Sequence, residues 1–183
     1  MVGRRTAARG YQPATAYING ETVDEIGGGI CQTSSTLYMS CLLANLEISM
    51  RRPHRYATAY MPLGMDATVS WGGPEFAFTN SRDYPIRLKC FVTEDNRYVT
   101  IQVWGTNTDG SYVKINFSGA MPVYGDASII GADGNPVATG ARATIWCHVL
   151  SPDGTILKGE EGDYKWFYSE YHYHPEDIQA QAG

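Results

Sequence analysis

No stretch of this 183-residue sequence approaches the roughly 18 consecutive apolar residues that a membrane-crossing helix needs. No membrane-crossing helix is therefore expected within these residues. The opening, MVGRRTAARG, also lacks the apolar core of a signal peptide. It has no helix start or capping box and reads as a start inside a longer protein, so the expectation is an excised domain. Positive charge is scarce: Lys and Arg number 14 against 19 Asp and Glu, a formal net charge of -5. A nucleic-acid footprint would normally be basic, so that class of partner is not expected. Four cysteines, widely scattered, are too few for a disulfide scaffold. His172 and His174 have no Cys, Asp or Glu at a zinc-ligand spacing, so neither a metal nor another cofactor is expected. There is no internal repeat and no low-complexity run.

What is present suffices for one core, since 43% of the residues are hydrophobic. Residues 10–26 mix apolar and polar positions around Asn19-Gly20 and read as a short helix followed by a turn, with an extended segment as the alternative. Residues 31–46 are the clearest helix, ending near Asn45 or Leu46. Pro53 then disfavours helix in the residue before it. The stretch from His54 to Gly73 reads as strand, turn and strand, with Pro62-Leu63-Gly64 as the turn. EFAFTN, YPIRLKCFV and YVTIQVWG follow as three short alternating runs. After Gly105 the chain loosens into turn formers. It resumes with a hairpin, ARATIWCHVL and TILKGEE, joined at Ser151-Pro152-Asp153-Gly154. The aromatic tail YKWFYSEYHYHP is expected to dock on the body. One helix feeding antiparallel strands is an α+β pattern. The expected division is a core over residues 1–105 and a β-rich extension over 106–183 packed on it.

Three cysteines read as core. Cys41 shares the apolar stripe of the helix, Cys90 alternates inward with Ile86, Leu88 and Val92, and Cys147 shares a face with Ala143, Ile145 and Val149. Cys31 differs, because it follows Gly27-Gly28-Gly29 where the helix begins. A helix N-terminus carries unpaired N–H groups and positive potential, which favour thiolate, the nucleophilic form. Glycine backbone, here Gly28 and Gly29, allows close approach of a substrate and leaves amides for an oxyanion. A base must then lie within reach and be oriented by a third group. His54 opens the first strand after the helix and Asp66 begins the next, so the two ends are expected to meet. Cys, His, Asp in that order is also the order of papain-like and transglutaminase-like hydrolases, an analogy only. Arg51, Arg52 and Arg55 form a basic knot beside His54, a solvated surface or a grip for a substrate carboxylate. Gln32, Ser34 and Trp71 complete the candidate oxyanion and substrate-binding set. Ser34 and Ser35 lack a nucleophile elbow and read as polar residues of the first helical turn.

The segments GYQPATAYINGETVDEIGGGICQTSSTLY, RRPHRYATAYMPLGMDATVSWG and FAFTNSRDYPIRLKCFV together resemble the VanW domain of bacterial cell-envelope proteins, over about residues 9 to 105. Some members of that family are implicated as L,D-transpeptidases with the cysteine of this motif as nucleophile, which corresponds to Cys31. The resemblance implies an extracellular enzyme of peptidoglycan, with donor and acceptor stem peptides as partners and no membrane contact by this domain itself. A tether to the envelope is expected through a segment outside these residues. A thiol carboxypeptidase or amidase and a non-catalytic cell-wall binding module remain the alternatives, and the oligomeric state stays open. His54 and Asp66 rest on the residue argument, not on the family.

Overall fold

Ser34, Ser35, Tyr38, Cys41 and Leu42 recur at spacings of three and four, and they form the buried face of helix α1, Ile30–Leu43. The computed structural model describes residues 3–18, 21–95, 97–159 and 166–182. The helix stops slightly earlier than its apolar pattern suggests. Asn45 takes a left-handed φ of 53°, its N–H bonds Leu42 O, and the Leu46 N–H bonds Cys41 O. This is the Schellman arrangement, which closes the last carbonyls and turns the chain sharply.

Ahead of α1 lies an antiparallel ribbon, β1 (Pro13–Ile18) with β2 (Glu21–Ile26), in which Pro13 pairs with Ile26. The helix expected across residues 10–26 is therefore absent. Its expected turn, Asn19-Gly20, lies outside the described residues. Behind α1, β3 (Glu47–Met50) pairs with β4 (Ala77–Thr79), and β5 (Arg87–Val92) forms a hairpin with β6 (Val99–Trp104).

The largest sheet has five strands and one spine. Strand β9 (Gly140–Leu150) is flanked on one side by β7 (Tyr112–Phe117) and β8 (Met121–Val123). On its other side run β10 (Ile156–Lys158) and β11 (Trp166–His172). The turn at Ser151 to Gly154 and the docking of the aromatic tail follow the sequence pattern. The short helix α2 (Pro175–Ala182) and strands β7 and β8 have no counterpart in it. Among the described residues, no helix is long and apolar enough to cross a membrane. The architecture is α+β with mostly antiparallel sheets.

The core joins the two halves of the chain. Tyr38, Cys41, Leu42, Leu46, Ile48 and Ala67 pack with Ile145 of β9, and Phe167 of β11 adds to them. Tyr38 is fully buried and meets the rings of Phe76 and Phe167 edge-on, at 5.8 and 5.7 Å between centroids. Ile145 is also fully buried. Ile145→Ala is therefore expected to cost about 2–5 kcal/mol, read as a lowered midpoint in denaturant unfolding.

Cys90 departs from its expected place. Leu88, Cys90 and Val92 do share a face, paired with Val103, Ile101 and Val99. Helix α1 packs on β6, its partner strand, while every residue of β5 is exposed, Cys90 included. Cys41 is in the core as expected, and Cys147 is half-buried against it.

Candidate functional site

The glycine triplet has a separate steric reason at each position. Gly27 and Gly29 take left-handed φ angles of 77° and 85°, which side-chain-bearing residues seldom adopt. A Cβ on Gly28 would sit 2.1 Å from Ala14 O, so only glycine lets β1 pass that close. The Gly28 N–H is committed to Glu25 O at 3.0 Å. It is thus no oxyanion donor in this arrangement. Gly29 caps α1 without any side-chain cap bond, which leaves first-turn N–H groups of the helix open. Cys31 lies there, one turn before Ser34 on the face that becomes buried.

The loop of residues 51–71 faces the start of α1. Its sequence suggests two strands, but the loop makes only one isolated bridge, Tyr56 with His172. Side chains take the place of a ladder. The Ala67 N–H bonds Ser35 Oγ at 3.0 Å, and Ser34 Oγ donates to Ala67 O at 2.5 Å. The Thr68 N–H bonds Arg52 O at 2.9 Å. The His54 N–H bonds Asp66 Oδ2 at 2.7 Å. Pro53 has no N–H to give a ladder, and Pro62 sits before the turn. These contacts still bring His54 and Asp66 together, by a route other than paired strands.

Asp66, 1% exposed, is the hub. Its Oδ2 receives the His54 main-chain N–H and lies 2.6 Å from His54 Nδ1. Its Oδ1 accepts from Arg51 Nη2 at 3.0 Å and from the Tyr171 hydroxyl. Burial alone would raise the Asp66 carboxyl, but the bonds from His54 and Tyr171 and the Arg51 charge hold it below the usual carboxylate range. Arg51 is committed elsewhere too: Nε donates to Asp66 O at 2.7 Å, and Nη1 donates to Ser169 Oγ at 2.7 Å. Its guanidinium also lies over the Tyr38 ring, 5.2 Å from the centroid. One member of the arginine knot is therefore buried, while Arg52 and Arg55 are exposed.

With Nδ1 turned to Asp66, the His54 ring reaches Tyr60 through Nε2, 3.3 Å from the phenol oxygen. Burial would lower the imidazole pKa, yet the Asp66 and Cys31 contacts raise it to about 9. For Cys31, burial pushes the thiol up, and His54, the Val69 backbone and Thr68 outweigh it, so the thiol is lowered. Its Sγ lies 3.4 Å from Val69 O and 3.8 Å from Thr68 Oγ1. The two shifts have one consequence. Between the lowered thiol pKa and about 9, sulfur and ring favour the thiolate–imidazolium pair. Burial raises Cys41 to about 12 and Cys147 to about 11. Cys41→Ala should cost roughly 1 kcal/mol of stability and leave Cys31 alkylation unchanged, as a melt beside a labelling assay will show.

The other candidates separate. Ser34 is buried, its hydroxyl spent on Ala67 O and Cys31 O. Gln32 is half-buried on the first turn. Trp71 is 63% exposed, with the Arg4 guanidinium 5.6 Å over its ring. His172 is exposed, His148 half-buried, and the buried His174 stacks on Tyr56 at 4.8 Å. Sequence reasoning missed Tyr60, Ser169 and Tyr171. The tail did carry a signal for the last two, since Phe167, Ser169 and Tyr171 alternate with exposed neighbours along β11.

An α+β domain that gathers a thiol at a helix start, an imidazole and a buried carboxylate bonded to that imidazole is the class that fold and site define. Residues 1–104 match the family described as VanW like protein, more than half of the chain, and the chain belongs to that family. A relative, uncharacterized protein YoaR of Bacillus subtilis (strain 168), is 46% identical over 89 residues, covering 49% of this chain and 29% of YoaR. The match thus spans less than a third of that relative's length. No solved structure matches this chain.

Proposed function

We propose that this domain is a cysteine L,D-transpeptidase that cross-links peptidoglycan at the extracellular face of a bacterial envelope. The observation that carries the reading is Cys31 at the amino end of α1, lowered in pKa, beside an imidazole whose other nitrogen is held by a buried carboxylate. The Cys31 thiolate attacks the carbonyl of the third residue of a tetrapeptide stem and forms a tetrahedral oxyanion. Open first-turn N–H groups of α1 stabilise that charge. The C–N bond to the terminal D-alanine breaks, and the His54 imidazolium gives its proton to the departing amine. A side-chain amine of a neighbouring stem then attacks the thioester. The C–S bond breaks, and the amine's proton passes to His54. Thiolate suits both steps, as nucleophile and as leaving group.

Arg52 and Arg55, exposed beside His54, meet the carboxylates of the donor stem, and Gln32 and Trp71 complete the proposed substrate-binding set. Neutralising Arg52 or Arg55 is expected to raise KM more than it lowers kcat, because ground-state and transition-state binding fall together. Steady-state kinetics with free and amidated stems check this, and equal KM values for the two stems would remove the motive. Incubation with tetrapeptide stems followed by intact-mass measurement tests the whole reading. A thioester adduct on Cys31 that passes to an added amine is the expected result. An adduct that only water resolves would make the domain a carboxypeptidase or amidase. No adduct would leave a cell-wall binding module.

A further inference from the structure

We propose that Tyr171 is a positioning residue for the Cys31–His54 pair, which makes strand β11, beyond the family-matched residues 1–104, an integral part of the reactive centre. The proposal rests on the reading of Cys31 as nucleophile. Tyr171 is 1% exposed, and its hydroxyl has a fixed direction. The oxygen accepts the Gly64 N–H at 2.7 Å, and its proton goes to Asp66 Oδ1. Two residues earlier on the same inward face, Ser169 Oγ accepts from Arg51 Nη1, whose Nη2 bonds the same Oδ1. One side-chain anchor of Oδ1 thus comes directly from β11, and the other, Arg51, is held by Ser169 of β11 together with the Asp66 and Gly64 carbonyls. Fixing Oδ1 turns Oδ2 onto His54, where it meets the main-chain N–H and Nδ1.

A phenylalanine would fill the same ring volume, so the hydroxyl serves only Asp66 and Gly64. The charged and titratable groups around the pair are Cys31 from α1, Tyr60, Arg51 and the exposed Arg52 and Arg55 from the loop, Asp66 itself, Tyr171 from β11, and Tyr38 across the core. Among these, Tyr171 and Arg51 bond Asp66 and not His54, so their influence on the ring passes through the carboxylate.

The test uses the full chain and iodoacetate, an anionic reagent that prefers a thiolate beside a protonated imidazole. Carboxymethylation of the Cys31 peptide is followed by mass spectrometry across pH. The unaltered chain should give a bell whose alkaline limb marks proton loss from His54. In Tyr171→Phe that limb should move down by about 0.5 unit or more, toward the ordinary imidazole value of about 6.5, because a carboxylate released on one side aligns less well with Nδ1. Ser169→Ala, which retains the tyrosine, should move it the same way by less, and it serves alone if the phenylalanine variant does not fold. Phe167→Leu, a core change on the same strand, should lower the melting temperature and leave the limb in place. An unmoved limb in both Tyr171→Phe and Ser169→Ala overturns the proposal. So does an upward move, which would mean that Tyr171 merely draws charge from Asp66. A flat profile in the unaltered chain would instead overturn the reading of Cys31 itself, and this inference with it.

Discussion

Cys31→Ala will remove acyl transfer by a factor on the order of 10⁴–10⁶ and leave the melting temperature close to that of the unaltered chain. The loss is large because both half-reactions of the proposed reaction pass through the same sulfur. The stability effect is small because Cys31 is only half-buried and its sulfur contacts, Thr68 Oγ1 at 3.8 Å and Val69 O at 3.4 Å, are weak ones. The same thiol should stand apart in a chemical assay that needs no substrate. Iodoacetamide should label Cys31 well below the roughly 8.5 of an ordinary cysteine. Cys41 and Cys147 should lag, since burial raises them to about 12 and 11. Cys90 is exposed on β5 and gives the comparison within the same molecule. Labelling of Cys90 ahead of Cys31 near pH 6.5 would falsify the assignment of a lowered thiol at Cys31.

The helix and the thiol at its head were legible because one face of α1 is buried along its whole length, so spacing and burial agree from Ser34 to Leu42. The strands β4, β5, β6, β9 and β10 were legible from alternation of residue type along short runs bounded by turn formers, even where, as in β5 and β10, every residue is exposed. The ribbon β1–β2 was not. Its described side chains from Pro13 to Thr15 and at Asp24 and Glu25 are exposed, so no inward face left a period in the sequence. In residues 54–71 the composition was right for extended chain and wrong for strands. The backbone bonds there go to Ser35, Asp66 and Arg52, partners that local periodicity does not reveal. The pairing of His54 with Asp66 was expected from chain order, whereas its supports were not. Arg51 sat in the sequence as one of three arginines, and nothing local distinguishes the one that turns inward. Cys90 shows the converse limit: register follows from alternation, but coverage depends on where another element packs.

His54→Ala and Asp66→Asn should both lose activity, and the second should also lose stability. Without the imidazole, the thiol loses a main cause of its lowered pKa and the departing amine has no proton donor, a loss on the order of 10²–10⁴ in acylation. Aspartate to asparagine is nominally isosteric, but each carboxylate oxygen of Asp66 faces two donors. Whichever way the amide turns, its NH₂ group meets a pair of donors, Arg51 with Tyr171 or the main-chain N–H with His54 Nδ1. The Arg51 charge, 4% exposed, also loses its counter-ion, and breaking such a buried pair costs about 3–5 kcal/mol.

The pH dependence of folding separates the two partners. Asp66 has a folded pKa below its unfolded value of about 3.9, so its contribution is present above that pH and is lost as pH falls through the folded pKa. His54 has a folded pKa raised to about 9 from an unfolded value near 6.5. Its contribution is full below about pH 6.5 and fades as pH rises through 9, by roughly 1–3 kcal/mol. Cys31, lowered in the folded state, contributes in the opposite sense as pH rises, so the decline is read in a Cys31→Ala background, where urea unfolding from pH 5 to 10 should show a midpoint that falls across the upper half of that range. Adding His54→Ala to that background should abolish the decline. A decline of equal size in that variant would assign it to another group and remove the imidazolium from the resting state of the site.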